Sequence, residues 1–182
     1  MAYNLGLRGG WELGHFERET TMAHRLMFEL FVTMLFVAGT AISASAQGPL
    51  SYGTSINLEN AKKAVAPVVA EAKKNGWTLA VAVVDTGGNL VYFEKMDDTQ
   101  IGSVNVAIDK ARSAALFKRA TKVFEDSLKG GGTPVLRVQG AVPVAGGVPL
   151  VMDGKIVGAL GASGMSSAQD DQCAQMGANA LK

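Results

Sequence analysis

Two segments whose side chains are apolar on both faces constrain the fold of this chain more than any other feature. In residues 78–84, TLAVAVV, and residues 156–162, IVGALGA, apolar or small residues fill both sets of alternating positions. An antiparallel sheet with one face in water alternates apolar with polar residues instead. Because large exposed apolar patches usually mark contacts, we expect both faces to be covered, by helices and in part by a second subunit.

Apolar residues recur at helical spacing in three other segments. Steps of three and four predict helices over residues 57–75 and 101–118, with a further turn or two over 121–129. Asn57 is placed to cap the first of these helices. A final helix is predicted to begin at Ser167, where Asp170, three residues on, resembles the acidic partner of a capping box.

The strands are separated by short turn sequences. Residues 78–84 and 90–95 flank the turn DTGGN, and residues 141–163 predict two or three more strands, the last two joined at Asp153-Gly154. The order of elements is therefore α-β-β-α-β-β-β-α. It predicts an α/β (α+β) sandwich, in which an antiparallel sheet of about five strands has helices packed on it.

The N-terminal part of the chain has the order of a secretory signal peptide. Residues 30–42, LFVTMLFVAGTAI, are an apolar run preceded by Arg25 and followed by the small residues 44–46. A membrane-spanning helix needs about 20 apolar residues, which is longer than this run. We predict an N-terminal extension and signal peptide in residues 1–46 and a single exported domain, periplasmic or extracellular, in residues 47–182.

The composition of residues 47–182 excludes several classes of function. Fourteen Lys and Arg residues face twelve Asp and Glu residues, so electrostatics favour neither nucleic acid nor an anionic membrane as a partner. The single Cys173 excludes an internal disulfide. Both histidines, His15 and His24, precede the predicted cleavage point, which excludes Ser-His-Asp triads and ordinary zinc sites from the mature domain.

Residues 146–164, GGVPLVMDGKIVGALGASG, contain six glycines and hardly a charge. A phosphate-binding loop needs its glycines between a strand and a helix, and these glycines lie within and between strands instead. Glycine inside a strand marks the close approach of another backbone or of a ligand. We interpret the segment as a surface for close contact, a packing surface or the wall of a ligand site.

Four short blocks of this sequence, taken in order, resemble one family. VVDTGGNLVYFEKMD (83–97), AIDKARSA (107–114), FKRAT (117–121) and residues 146–164 resemble the GlcG/HbpS family of haem-binding and haem-degrading domains. The resemblance covers about residues 57–182. It implies a profilin-like or PAS-like sandwich, a homo-oligomer that is often octameric, and haem binding in some members. Those members include an exported haem sensor that modulates a histidine kinase, and others form the C-terminal part of PduO-type corrinoid adenosyltransferases.

Five residues are candidates for holding a ligand. Lys110, Arg112 and Ser113 lie on the predicted second helix, where they suit carboxylates such as haem propionates or a small acid. The alternative interpretation is a solvated helix face. Gly146 and Gly147 begin the glycine-rich segment and are candidates for its ligand wall. No catalytic residue and no metal site is predicted.

The haem hypothesis leaves the ligand of the iron open. Protein ligands of haem iron are mainly His, Met, Cys and Tyr, so with histidine gone six Met and Tyr side chains and Cys173 remain, with Ser113 as a weak oxygen ligand. The Met and Tyr candidates are Met96, Met152, Met165, Met176, Tyr52 and Tyr92. Each methionine is equally well explained as core filler, and Cys173 as a buried, inert thiol.

Three functional hypotheses follow. The leading one is an exported haem-binding or haem-sensing protein without catalytic turnover. A second is an enzyme of small-acid metabolism, an isomerase or lyase, that uses Lys110 with Asp85 or Asp109 as base or Schiff-base amine. A third is a structural oligomer or an accessory domain for a membrane sensor kinase.

Overall fold

The computed structural model describes residues 50–182, and the predicted extension and signal peptide, residues 1–46, lie outside them. The elements, in chain order, are α1 (Leu58–Lys74), β1 (Ala80–Asp85), β2 (Leu90–Lys95), α2 (Ser103–Phe117), α3 (Lys122–Lys129), a 3-10 helix (Thr133–Arg137), β3 (Gly147–Met152), β4 (Lys155–Ser163) and α4 (Ser167–Asn179).

The predicted helices, strands and turns are confirmed except for one strand. The Asn57 side chain accepts the Asn60 N–H at 2.9 Å and caps α1, and Asp153-Gly154 forms the β3–β4 hairpin turn with both residues at positive φ. The sheet, however, has four strands, not about five, because residues 141–146 are an irregular segment. Side chains accept hydrogen bonds from the Val142 and Ala145 N–H groups of this segment, as described below.

The four strands form one antiparallel sheet in the order β2-β1-β4-β3, so the chain's two most apolar strands are central. Residues 51–56 run beside the start of β4, on the same side of that strand as β1. Gly53 N–H donates to Ile156 O at 2.8 Å, and Ile156 N–H donates to Ser51 O at 2.9 Å. The Tyr52 hydroxyl donates to Ala115 O at 2.8 Å and ties this segment to α2. The first described residues are thus part of the fold.

Helices of the same chain cover both faces of the central strands. α1 and α4 pack on one face around Val81, Val83 and Leu160, and α2 packs on the other around Ala80, Ala82 and Ala159. The prediction that both faces are covered is confirmed. The apolar surface of β1 and β4 therefore gives no reason for a second subunit, since α1, α2 and α4 already bury it.

Glycine and alanine allow α2 to lie unusually close to β4. A Cβ atom on Gly161 would overlap Ala107 O and lie 2.6 Å from Ala111 N, both in the backbone of α2. A Cβ atom on Gly177 would lie 2.8 Å from Ala64 O, so α4 and α1 meet in the same way. The predicted close contact of the glycine-rich segment is thus made, at Gly161, with the chain's own backbone.

Within residues 50–182, no helix combines the length and apolar character needed to cross a membrane.

Substituting Gly161 with alanine tests this close packing. We expect Gly161→Ala to lower the free energy of unfolding by about 2–3 kcal/mol, because the methyl group forces α2 away from the sheet. Gly102→Ala is the matched control, since a Cβ atom there meets nothing within 4 Å and its φ is −59°. Urea denaturation of both variants measures the difference. Equal midpoints would contradict the packing described here.

Candidate ligand site around Lys110

A buried ion pair joins α2 to α4. The Lys110 ammonium lies 2.8 Å from Asp170 Oδ2 and donates a second hydrogen bond to Ala162 O of β4 at 3.0 Å. Side-chain exposure is 1% for Lys110 and 3% for Asp170. The solvated-face alternative is therefore wrong for Lys110, because its charge is matched by a carboxylate inside the protein.

Asp170 has a different role from the one that the sequence suggested. The helix begins at Ser167 as predicted, but its capping box is formed one residue earlier, by Ser166 and Gln169, so the predicted capping pair of Ser167 with Asp170 was wrong. Asp170 turns inward, where its Oδ1 also accepts the Met165 N–H at 3.0 Å. Burial raises the pKa of Asp170 above its ordinary value, and the hydrogen bond from Lys110 opposes that rise.

Gly146 lies directly against this pair. Its φ is +117°, and a Cβ atom on it would come within 3.0 Å of Lys110 Nζ and 2.7 Å of Ala162 O. Gly147 follows at the start of β3, where a Cβ atom would overlap Lys110 O. Three of the predicted site residues, Lys110, Gly146 and Gly147, are thus brought together, and each glycine is required for the close approach.

Ser113 is also brought to this region, one turn further along α2. It is fully buried, and its Oγ accepts the Val142 N–H at 3.1 Å. Its environment is the irregular segment that precedes Gly146, so the solvated-face alternative is wrong for Ser113 as well.

Arg112 is not brought to the pair. Its side chain is half exposed, its Nε donates to Gly88 O at 3.1 Å, and its Nη1 lies 3.8 Å from Asp109 Oδ1. The site predicted as one cluster is therefore divided into a buried cation, Lys110, and an accessible one, Arg112.

Glu125 of α3 is a buried acid that the sequence did not single out. Its Oε2 accepts the Ala145 N–H at 2.6 Å, and its Oε1 accepts the Ser167 hydroxyl at 3.1 Å and pairs with Lys129. Burial favours the neutral acid, but these hydrogen bonds outweigh it and hold the pKa of Glu125 below 4.5. The apolar Phe124 beside it was the sequence signal that this turn of α3 faces inward.

Thr121 completes this arrangement. Its Oγ1 accepts the Gly147 N–H at 2.9 Å, and its own N–H donates to Gly147 O at the same distance. Thr121 is fully buried, which its position at the end of the FKRAT block did not indicate.

The enzyme hypothesis needed Lys110 next to Asp85 or Asp109. Asp85 lies instead in the β1–β2 turn, where its Oδ1 accepts the Gly87 and Asn89 N–H groups at 2.8 Å each. The Asp109 side chain is 57% exposed. An ammonium that donates to Asp170 has no free electron pair, so the geometry at Lys110 does not favour a base or a Schiff-base amine.

The candidate iron ligands are scattered. Cys173 is fully buried, and burial raises the pKa of its thiol to about 11, so it is protonated at neutral pH. The Tyr92 hydroxyl donates to Glu94 Oε2 at 3.0 Å. Met96 and Met152 pack against the core, whereas Met165 and Met176 are partly exposed. Among residues 50–182, no three His, Cys, Asp or Glu side chains are grouped to hold a metal ion.

Three surface clefts are lined by none of the five predicted site residues. One of about 430 Å³ lies between the start of α1 and the β3–β4 turn, and one of about 340 Å³ lies between α1 and β2. A smaller one of about 230 Å³ lies between β3 and α4. Lys110 is therefore enclosed in this structure and does not line any of them.

The fold and this site define a single-sheet α+β sandwich with a buried lysine–carboxylate pair, Lys110 and Asp170, that is covered by Gly146. Comparison with known proteins identifies the family. The chain belongs to the HbpS-like family, because the family model described as haem degrading protein HbpS-like matches residues 56–179.

Individual relatives and solved structures agree with this assignment. Protein GlcG of Escherichia coli K12 is 38% identical over 108 residues, which are 59% of this chain and 81% of that protein. An uncharacterised 15.0 kDa protein of Citrobacter freundii, from the dhaT-dhaS intergenic region, is 32% identical over 64% of this chain and 84% of its own length.

Two crystal structures are especially informative. HbpS superposes with a TM-score of 0.65 at 33% identity, covering 76% of this chain and 99% of that one. A PduOC:heme complex superposes with a TM-score of 0.64 at 27% identity, covering 71% of this chain and 96% of that one. The predicted family and the α+β sandwich are both confirmed.

The buried ion pair leads to a prediction about stability. We expect Lys110→Met to lower the free energy of unfolding by about 3–5 kcal/mol, because it leaves the Asp170 carboxylate buried without a counter-ion. The double variant Lys110→Met with Asp170→Asn should lose much less than the sum of the two single variants. Lys122→Met, which breaks the exposed pair with Asp126, is the matched control and should change the unfolding midpoint little. Strict additivity at Lys110 and Asp170 would show that the two charges are not coupled.

Glu125 leads to a prediction about acid stability. Its pKa is lower in the folded protein than the ordinary 4.5, so the folded state binds this proton less tightly than the unfolded state. The stabilisation from Glu125 is complete above pH 4.5 and is lost as the pH falls through the lowered pKa. We expect the pH profile of the unfolding free energy to be flatter in Glu125→Gln across that window than in the wild type. Asp126→Asn, next to it and exposed, is the control, and an unchanged slope in Glu125→Gln would contradict the prediction.

Proposed function

We propose that this chain is an exported haem-binding module that acts as a homo-oligomer, in haem sensing or haem handling. The observation that carries the proposal is membership of the HbpS-like family together with the likeness to the PduOC:heme complex over 96% of that structure. Export rests on the signal-peptide pattern of residues 1–46.

The candidate residues support carboxylate recognition. Haem carries two propionate groups, and Arg112 presents a half-exposed guanidinium at the surface of α2 whose Nη groups are free of the Gly88 hydrogen bond. Leu116 is 52% exposed one turn away, and both it and Arg112 lie within 4 Å of the position of a Cβ on Gly88. A cation beside an apolar side chain suits the edge of a porphyrin.

The second cation, Lys110, belongs to the proposed site as an inner contact, with Ser113, Gly146 and Gly147 around it. In the structure as described it is paired with Asp170, so a ligand reaches it only after local movement. An oligomer supplies further surface, since the edge strand β2 keeps Leu90 47% exposed and Tyr92 and Phe93 half-buried. A membrane sensor kinase is the kind of partner that we propose for a haem-sensing role.

Hemin titration tests the function directly. Protein recovered from cells that express the full chain should give a saturable shift of the Soret band. We expect Arg112→Met to weaken hemin binding about tenfold, because a charge-assisted contact to a propionate is lost. Lys63→Met, an exposed cation on α1 across the sheet, is the matched control and should bind as the wild type does. A spectrum that remains that of free hemin at micromolar protein would refute haem binding.

Two further measurements test the proposed localisation and assembly. Cell fractionation with mass spectrometry should find the exported form beginning at Gln47. Sedimentation of that form should give a mass several times that of one chain. A monomer that stays in the cytoplasm at full length would contradict both parts of the proposal.

A further inference from the structure

The irregular segment before β3 is held mainly by side chains, and by the strand β4 only at its last residue, where Ala162 N–H donates to Gly146 O at 2.8 Å. We call residues 141–145 the strap. Val142 N–H donates to Ser113 Oγ at 3.1 Å and Ala145 N–H donates to Glu125 Oε2 at 2.6 Å. Directly after the strap, Gly147 N–H donates to Thr121 Oγ1 at 2.9 Å. Three buried side chains, from α2, α3 and the turn between them, therefore accept the hydrogen bonds that the backbone of a neighbouring strand would otherwise accept.

Glycines in the left-handed region of φ flank the strap. Gly140 has φ +82° and Gly146 has φ +117°. Because glycine has no Cβ, its backbone can change between positive and negative φ at these two positions without a side-chain clash of its own. The strap is thus a short segment with a hinge glycine at each end. We call the three side chains that hold it the pins: Ser113 and Glu125 bind within the strap, and Thr121 binds just beyond the second hinge.

Gly146, at the end of the strap, covers the buried pair. Gly146 lies so close that an added Cβ would be 3.0 Å from Lys110 Nζ and 2.9 Å from Asp170 Cβ. Lys110 is 1% exposed, whereas the strap itself is partly exposed and Val144 is 40% exposed. The strap therefore has solvent on its outer side, and the ion pair lies beneath the hinge at its end.

We propose that the strap is a gate over Lys110, which opens about Gly140 and Gly146 to admit a carboxylate-bearing ligand to the Lys110 ammonium. The nature of that ligand rests on the proposed haem function. Opening breaks the hydrogen bonds to Ser113, Glu125 and Thr121 and the bond from Ala162 N–H to Gly146 O. It therefore frees the first residue of β3 and leaves the rest of the sheet and the helices in place. In the closed state Lys110 donates to Asp170 and Ala162 O, and in the open state its third N–H donates to the carboxylate of the ligand, so Asp170 keeps its counter-ion.

The pins can be removed one at a time without changing the shape of the site. Ser113→Ala and Thr121→Val each delete one hydroxyl acceptor and change the size of the side chain little. Glu125→Gln removes the charge that strengthens the bond to Ala145, although it also affects Ser167 and Lys129. Asp126→Asn is the control, because it is the same kind of change on the next residue of α3, whose partner is Lys122.

Two readouts on the full-length gene product, as recovered from cells, test the gate without haem. The first is labelling of Lys110 by a small amine-reactive reagent, followed by peptide mass spectrometry. The second is hydrogen exchange of the strap amides compared with the amides of Val81 and Val83 in β1. We expect Ser113→Ala, Thr121→Val and Glu125→Gln each to speed Lys110 labelling and strap exchange about tenfold, with β1 exchange and Asp126→Asn unchanged.

Two outcomes would overturn the gate. One is a Lys110 labelling rate that is the same in the pin variants and in the wild type. The other is labelling that rises only in step with β1 exchange, which would mean that Lys110 is exposed by global unfolding.

Hemin association then separates this inference from the proposed function. If the pin variants label faster and also bind hemin faster in stopped flow, the gate is the route of the ligand. Faster labelling with no hemin binding in any form, the wild type included, would reject the haem proposal and still support the gate. Faster labelling with an unchanged, measurable hemin rate would refute the gate as the entry route.

Discussion

The contact of α2 with β4 at Gly161 is the constraint on which the site depends. Without a side chain at Gly161, the backbone of α2 rests on the sheet at Ala107 and Ala111. This distance brings Lys110, on the flank of the same helix, within hydrogen-bonding reach of Ala162 O and of Asp170 on α4. A larger residue at Gly161 would move Lys110 outward, and its charge would then lose the carboxylate that compensates for burial. The small residues of the sheet and helix are therefore what makes a buried lysine possible.

A buried ion pair of this kind seldom adds much net stability, because two charges have to be desolvated. Its value here is positional, since a single contact connects α2, α4 and β4 at the place where the strap ends. Ser113, Thr121 and Glu125 extend the same principle by using side chains to satisfy backbone N–H groups that have no strand partner. The result is a cluster of buried polar side chains in a domain whose core is otherwise largely apolar.

Most of the fold was predictable because it depends on local periodicity and turns. The helices, the β1–β2 pair and the hairpin at Asp153-Gly154 are confirmed, each from signals within a few residues. Residues 141–163 were predicted to form two or three strands and form two, because residues 141–146 look apolar enough for a strand but hydrogen-bond to Ser113 and Glu125, up to 29 residues away. Asp170 was misassigned for a similar reason: its partner Lys110 is 60 residues away in the chain, and the capping pattern was the only local explanation available.

The site was predictable only as a set of residues, not as an arrangement. Lys110 and Arg112 are two positions apart on α2, which directs them to different sides of the helix: one meets Asp170 in the interior, and the other meets Gly88 at the surface. A carboxylate on a rigid ligand cannot contact both in the closed state. Residues 47–182 contain no histidine and their Cys173 thiol is buried and protonated, so the haem site that we propose within these residues would offer the iron neither imidazole nor thiolate. In that proposal, recognition depends on carboxylate contacts and apolar surface more than on a strong iron ligand, and therefore on access to Lys110.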